Sequence, residues 1–292
     1  MGKSEKELLS KKELLEIFIN HRVHSPFPGD WESIFKGLGY EFWALRELEH
    51  SDSFKNIDWK AKAKTGKYYV REFLAESSFN VMLLYDISRS VHFGRKELLQ
   101  AHIAVSLAYS AVLSNDGCGL ILFADDIVEY IPPRMGRSHF MEILYAIAKA
   151  EPVGCGATNL GVALTELINE VPESLTFILS DFMYPLDFSY SFHHTVHGTN
   201  KHEVKAIQVL EECEIELPPH ARGILPLFDY ESGSTVSLDL SKWKEYNDSM
   251  RRLRLATENR LNRAGIDLLT ISPADDFAQK INAFMKRPPS RY

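Results

Sequence analysis

The sequence predicts an α/β protein built on a doubly wound, mostly parallel sheet of six strands. Three observations carry that prediction. From residue 79 onward, short apolar runs of strand length alternate with stretches of helical periodicity. The runs are continuously apolar rather than alternating, as strands are when helices cover both faces of their sheet. With 292 residues, 45% apolar and 25% charged, the chain can bury a large core without disulfides or structural metals.

Residues 4–20 place Leu8, Leu9, Leu14, Leu15, Ile17 and Phe18 at helical spacing, with Glu and Lys between them, and predict a helix. A Pro/Gly loop follows at Ser25 to Asp30. Residues 31–70 carry aromatics and lysines at strand-like intervals (Trp43 and Leu45, then Lys67 to Val70) and read as an irregular, partly β section. Phe79 to Tyr85 is the first strand of the main sheet. Arg95 to Leu113 is a helix with Leu98, Ala101, Val105, Ala108 and Val112 on one face. Strands follow at Gly119 to Phe123 and, after the Asp125-Asp126 turn, at Ile127 to Ile131, the latter expected to run antiparallel. His139 to Ala150 and Leu160 to Val171 are helices. Leu175 to Leu179 and Val204 to Leu210 are strands, and Ile224 to Leu240 reads as a hairpin around Glu231-Ser232-Gly233-Ser234. Ser241 to Arg263 is a long helix with Ser241 as N-cap. Ile266 to Ile271 is the last strand, and Asp275 to Met285 the closing helix.

The 40 acids exceed the 33 Lys and Arg by seven, which speaks against a dedicated nucleic-acid coat. Three widely spaced cysteines (Cys118, Cys155, Cys213) form neither a disulfide framework nor a zinc cluster. No run reaches the ~20 apolar residues of a membrane helix, and residues 1–12 lack the apolar core of a secretory signal. The expectation is a soluble, reduced, cytoplasmic protein.

In doubly wound sheets, ligands bind beyond the carboxyl ends of the strands, where the strand order reverses. After the first strand comes Asp86-Ile87-Ser88-Arg89-Ser90, and after Leu175 to Leu179 comes Ser180-Asp181. Between them the loop Gly154-Cys155-Gly156-Ala157-Thr158-Asn159 opens the Leu160 helix. Two carboxylates and three hydroxyls then converge at one edge, a set of hard oxygen donors suited to Mg²⁺ or Mn²⁺. Taken singly, each has a plainer explanation: Asp and Ser favour turns, and Thr158 could simply cap its helix. Their order, each at a strand end or helix start, favours a site.

Asp86-x-Ser88-x-Ser90, Thr158 and Asp181 resemble the metal-ion-dependent adhesion site of von Willebrand factor type A domains, over about residues 77–286. The segment from Arg46 to Trp59 (Arg-Glu-Leu-Glu-His-Ser-Asp-Ser-Phe-Lys-Asn-Ile-Asp-Trp) is similar to the signature of the bacterial DUF58 family, Arg-x-Tyr-x-x-Gly-Asp-x-x-Arg-x-Ile-Asp-Trp. Lys60-Ala61-Lys62-Ala63-Lys64-Thr65 resembles that family's following Lys-Ala-Ser-Ala-Arg-Thr, and Tyr69-Val70-Arg71-Glu72-Phe73 fits its next strand. Leu48 replaces Tyr, Ser51 replaces Gly and Lys55 replaces Arg. The last change exchanges a planar bidentate donor for a point charge.

These resemblances imply a Rossmann-like type A domain over 77–286, an N-terminal helix and small β appendage over 1–76, and a tail at 287–292. They imply Mg²⁺, with Mn²⁺ as the other candidate, held by Asp86, Ser88, Ser90, Thr158 and Asp181. In type A domains a partner's Asp or Glu fills the remaining coordination position. They further imply a non-enzymatic protein-interaction module, accessory to a MoxR-type AAA+ ATPase in protein assembly or maturation. One alternative is a metal-dependent hydrolase of phosphoesters. The sequence offers it no Gly-x-Ser-x-Gly, His-Glu-x-x-His or phosphate-loop motif, and Gly154-x-Gly156 with Gly161 is a poor dinucleotide fingerprint. Another is nucleic-acid binding through the basic, aromatic-bearing stretch Lys55 to Arg71, although alternating lysines also suit an exposed strand face.

The remaining motifs have plainer readings. His193, His194 and His197 read as a solvated loop without the flanking acid or Cys of a metal site. His92 could border the metal rim, and His102 reads as packing. Arg251, Arg252, Arg254, Arg260 and Arg263 form a charged face on the long helix, opposite an apolar side of Trp243, Tyr246, Met250 and Leu253.

Overall fold

The computed structural model describes residues 42–47, 68–73, 79–153, 158–186, 201–220, 222–228 and 235–286. The chain divides into two compact units, Gly29–Phe79 and the remainder. In the smaller unit, β1 (Phe42–Glu47) and β2 (Tyr69–Phe73) pair antiparallel, as the strand-like spacing around Trp43 and Val70 suggests. The expected helix over 4–20, the Ser25 to Asp30 loop, the signature from Leu48 to Thr65, the three histidines at 193, 194 and 197, Cys155 and the tail from 287 lie outside the described residues.

In the larger unit the chain runs β3 (Asn80–Asp86), α1 (Lys96–Leu113), β4 (Gly117–Phe123), β5 (Ile127–Arg134), α2 (Arg137–Lys149), α3 (Leu160–Glu170), β6 (Glu173–Ser180) and β7 (Lys201–Val209). A one-turn helix α4 (Glu212–Ile215) follows, then the hairpin β8 (Ile224–Phe228) and β9 (Thr235–Asp239), α5 (Trp243–Arg263), β10 (Asp267–Ile271) and α6 (Phe277–Met285). Six strands form one sheet in the order β10-β7-β6-β3-β4-β5. All neighbours are parallel except β4 and β5, which pair antiparallel as expected. No helix among the described residues is long and apolar enough to cross a membrane.

Strand periodicity splits the core into two layers. Met82 and Leu84 of β3, Ile121 and Phe123 of β4 and Ile178 of β6 pack with Leu160, Ala163, Leu164 and Leu167 of α3 and Leu261 of α5. Val81, Leu83 and Tyr85 are equally buried, and α1 packs against β3, β4, β6 and β7. Helix α1 differs from the simple amphipathic expectation. Leu98 and Val112, assigned to its buried face, are only half-buried. The deeper positions are Lys96, Leu99, Gln100, Ile103, Leu107 and Ala111. A second layer adds cover: α2 packs on α1, with the Tyr109 and Phe140 rings 5.5 Å apart, so α1 has little solvent face.

Two expectations for α5 are corrected. Ser241 is not its N-cap. Asp239 accepts hydrogen bonds from both the Ser241 backbone N–H (3.0 Å) and its hydroxyl (2.7 Å), which starts a 3₁₀ turn over Leu240–Lys242 before α5 begins at Trp243. Leu253 is exposed rather than packed, because the inward stripe follows Met250, Arg254, Thr257 and Leu261. Arg254 takes the slot one residue later and donates to the Ile215 carbonyl (3.1 Å). Asn247 accepts from the Leu217 N–H and donates to its carbonyl, tying α5 to the segment after α4.

The edge strand β5 carries Pro132 and Pro133, which lack the N–H of a ladder bond and so end pairing on that side. Where β4 meets β5 the register slips between Cys118 and Leu120. A Cβ on Gly119 there would lie 2.5 Å from Met82 Sδ, 2.9 Å from the Ile131 carbonyl oxygen and 2.9 Å from Pro133 N. Two of those neighbours are backbone and cannot yield. Gly119→Ala is therefore expected to destabilise the protein by about 1–3 kcal/mol, as overpacking a tight core does, read as a lower urea midpoint at unchanged slope. An unchanged midpoint would refute the close approach.

Candidate metal centre

Strand β3 lies between β4 and β6, and the chain leaves β3 toward β4 while β7 and β10 extend the sheet beyond β6. The strand order therefore reverses between β3 and β6, where doubly wound sheets form their crevices. Tyr85 pairs with Leu179, so the next residues, Asp86 on one strand and Ser180-Asp181 on the other, leave the sheet side by side. Asp86, Ser180 and Asp181 are all fully buried.

Each Asp86 oxygen has a donor. Oδ1 accepts the Ser88 backbone N–H (2.8 Å), and Oδ2 accepts the Ser180 hydroxyl (2.6 Å). The first bond folds the chain back so that Ser88 and Ser90 present their hydroxyls together, Oγ to Oγ 3.2 Å. A 3₁₀ turn over Arg89–His92 follows. Thr158 is brought to the same edge by backbone pairing on either side of its loop. The Val153 N–H donates to the Ile87 carbonyl (3.2 Å), and the Asn159 N–H donates to the Ala124 carbonyl (2.8 Å). Helix α3 is capped by Asn159, whose side chain accepts the Gly161 N–H, so buried Thr158 does not serve as the cap.

Asp181 sits in a tight turn. Its Oδ1 accepts the Met183 N–H (3.1 Å), and the Phe182 N–H donates to Ser180 Oγ (3.0 Å). Phe182 is held at φ +50°, a left-handed conformation that costs a side-chain-bearing residue about 1–2 kcal/mol. Buried strain of this kind is kept where the surrounding structure over-determines it. Two glutamines brace the backbone: Gln100 of α1 donates to the Asp86 carbonyl (2.8 Å), and Gln208 of β7 donates to the Asp181 carbonyl (2.9 Å).

The residue that sequence reasoning missed is Lys96. It is 1% exposed, and its Nζ lies 3.0 Å from Asp181 Oδ2 and 2.8 Å from Glu214 Oε1. The available signal was positional: Lys96 stands one turn before Gln100, on the same inward stripe of α1. Gln100, Gln208 and Glu214 were not anticipated either, and Ser180, noted only as the neighbour of Asp181, turns out to donate to Asp86 Oδ2.

Burial, followed by the charge of Asp181, pushes the Asp86 carboxyl up to about 7, against the hydrogen bonds from Ser180 and Ser88 that favour its ionised form. Burial raises Glu214 as well, although Lys96 opposes this. For Lys96, burial acts to lower the ammonium, but Asp181 and Glu214 together outweigh it and the net shift is upward. Tyr85 and Tyr184 are raised by burial first and by neighbouring acids second.

Among the described residues no group of three or more His, Cys, Asp or Glu side chains could hold a metal ion. A cation at this edge would therefore rest on two carboxylates and neutral hydroxyls. That donor chemistry fits a small hard cation and suits a soft or imidazole-preferring one poorly. His92 is half-buried and hydrogen-bonded to Glu97, and half-buried His102 is lowered by burial.

The family described as "Protein of unknown function DUF58" matches residues 44–262. The chain belongs to the DUF58 family. An uncharacterized protein of Mycobacterium tuberculosis is 26% identical to this DUF58 protein over 279 residues, 93% of this chain and 86% of the relative. Among solved structures, it is similar to the conserved hypothetical protein BatB of Bacteroides thetaiotaomicron (15% identity, 72% of this chain and 100% of that one, TM-score 0.46). It is also similar to a von Willebrand factor type A protein of Catenulispora acidiphila (11% identity, 74% and 42% coverage, TM-score 0.42).

The raised Asp86 carboxyl gives a pH dependence with a definite sign. Between about pH 4 and about pH 7 the folded DUF58 protein keeps a proton that the unfolded chain has lost. The stability linked to that proton is fully present at low pH and is lost as pH rises through 7. Asp86→Asn is permanently neutral, so in chelator its stability relative to wild type is expected to grow across this window, reaching a gain of about 1–3 kcal/mol at pH 8. Urea melts of both proteins at pH 4.5, 6 and 8 check this. A difference that is flat with pH would refute it.

Proposed function

We propose that this DUF58 protein is a non-enzymatic protein-interaction module whose span 77–286 binds a partner carboxylate through a divalent cation, Mg²⁺ in the first instance. Asp86, Ser88, Ser90, Thr158 and Asp181 would hold the ion. The observation that carries the reading is the meeting of two buried acids, Asp86 and Asp181, at the point where the strand order reverses, with a serine pair 3.2 Å apart beside them.

Each residue has a distinct part. Ser88 and Ser90 offer neutral oxygens, preset by the Ser88 N–H bond to Asp86. Thr158 offers a third hydroxyl from the loop pinned to Ile87 and Ala124. Asp86 and Asp181 supply negative charge from fixed rotamers, since every one of their oxygens already takes a hydrogen bond from a named donor. A cation held largely by neutral oxygens keeps much of its charge, and that charge attracts an external Asp or Glu. Resemblance within the family points to a MoxR-type AAA+ ATPase as the machine this module serves, with 1–76 as an appendage to the interaction domain.

Titration calorimetry with MgCl₂ is expected to show one saturable site in wild type and none in Asp86→Ala, whose circular dichroism should stay native-like. Indistinguishable heats would remove the metal assignment. Capture of an Asp- or Glu-bearing partner from lysate is expected to need Mg²⁺ and to fail in chelator; capture unaffected by chelator would count against cation-mediated binding.

A further inference from the structure

Two carboxylates, those of Asp181 and Glu214, meet a single ammonium, that of Lys96, and Asp86 lies beside Asp181 at the neighbouring strand end. Lys96 is fully enclosed, Asp86 and Asp181 are fully buried, and Glu214 is 15% exposed. Lysine is rarely enclosed so completely unless it is paired, and the placement here is over-determined. One turn further along α1, Gln100 holds the Asp86 carbonyl, which fixes the rotation of the helix that delivers Lys96. Glu214 is oriented independently, because its other oxygen accepts the Glu211 N–H (2.8 Å) in a reciprocal capping box around α4. The Glu211 carboxylate in turn accepts the Arg95 N–H at the start of α1. Gly94, at φ +66°, makes room for it, since a Cβ there would fall 2.4 Å from Glu211 Oε1. Two acids from one short segment therefore grip the first turn of α1, and the Lys96 ammonium that this turn carries reaches Asp181.

We infer that Lys96 is the resident counter-ion of the metal centre: it keeps the acid pair assembled without a cation, opposes the cation that binds, and is itself shared between Asp181 and Glu214. This inference rests on the proposed metal site and adds its regulation. The physical basis is Coulombic. An ammonium within 3.0 Å of a carboxylate occupies one of its oxygens and repels a second positive charge nearby. Removing the ammonium should raise affinity for a cation, because the cation becomes the only partner able to neutralise Asp181. Removing Glu214 should do the reverse, because Lys96 then serves Asp181 alone.

The full chain carrying Lys96→Met, Glu214→Gln or Asp86→Ala is titrated with MgCl₂ and MnCl₂ by calorimetry and melted with and without 10 mM Mg²⁺ (about a hundredfold above a ~0.1 mM site). Lys96→Met is expected to melt well below wild type in chelator, to gain more from Mg²⁺ than wild type does, and to bind about tenfold more tightly. Glu214→Gln, at the rim and with the ammonium retained, is expected to bind several-fold more weakly and so decides the matter if Lys96→Met does not fold. Wild-type binding with Lys96→Met no tighter, or with Glu214→Gln no weaker, overturns the counter-ion role alone. No binding by wild type or by either charge variant overturns the metal centre, and this inference with it.

Discussion

Two carboxylates placed side by side in a dry interior are the constraint on which this structure turns. Parallel pairing of β3 with β6 puts Asp86 and Asp181 next to each other, and nothing in the sheet itself can neutralise them. The surroundings do so piecemeal. Hydroxyl and amide donors from Ser180, Ser88 and Met183 satisfy individual oxygens, and one buried ammonium supplies the opposite charge. An uncompensated buried charge costs far more than an imperfect hydrogen bond. The position of α1, the short helix after β7 and the strained turn at Phe182 can all be understood as serving that compensation.

The same arrangement sets which chemistry the proposed site would favour. Neutral hydroxyls stand on the β3 side and in the loop before α3, while the charged groups lie deeper, beneath them. Chelation by three or more carboxylates would quench a cation, whereas a shell made mostly of hydroxyls leaves it able to attract another anion.

Much of this was legible in the sequence because it is periodic or local. Continuous apolar runs located all six strands of the main sheet within a few residues, and their ends located Asp86 and Asp181. The antiparallel β5 and the β8–β9 hairpin were readable from turn residues. What escaped depends on contacts between distant segments. Lys96 lies 85 residues from Asp181 and 118 from Glu214, and a lysine in the first turn of a helix normally points to water. The burial of α1 on more than one side likewise depends on α2 arriving over it, which no local pattern records. Ser241 and Leu253 were misplaced for a smaller reason: Asp239 competes for the start of the helix, and the inward stripe drifts by one residue over three turns.

The nine residues from Ile87 to Arg95 form a loop near a ligand edge, a place where chains usually accept extra residues freely. This one is fastened at both ends. It is tied to β4 through Ile87, to the opposing loop through the Ser88–Val153 bridge, and at its far end to Glu211. A single added residue would turn the following helix by ~100°, carrying Lys96 away from Asp181 and Gln100 away from the Asp86 carbonyl at one stroke. The length of this loop is therefore as strictly set as any side chain in it, and among relatives of this protein insertions should collect elsewhere.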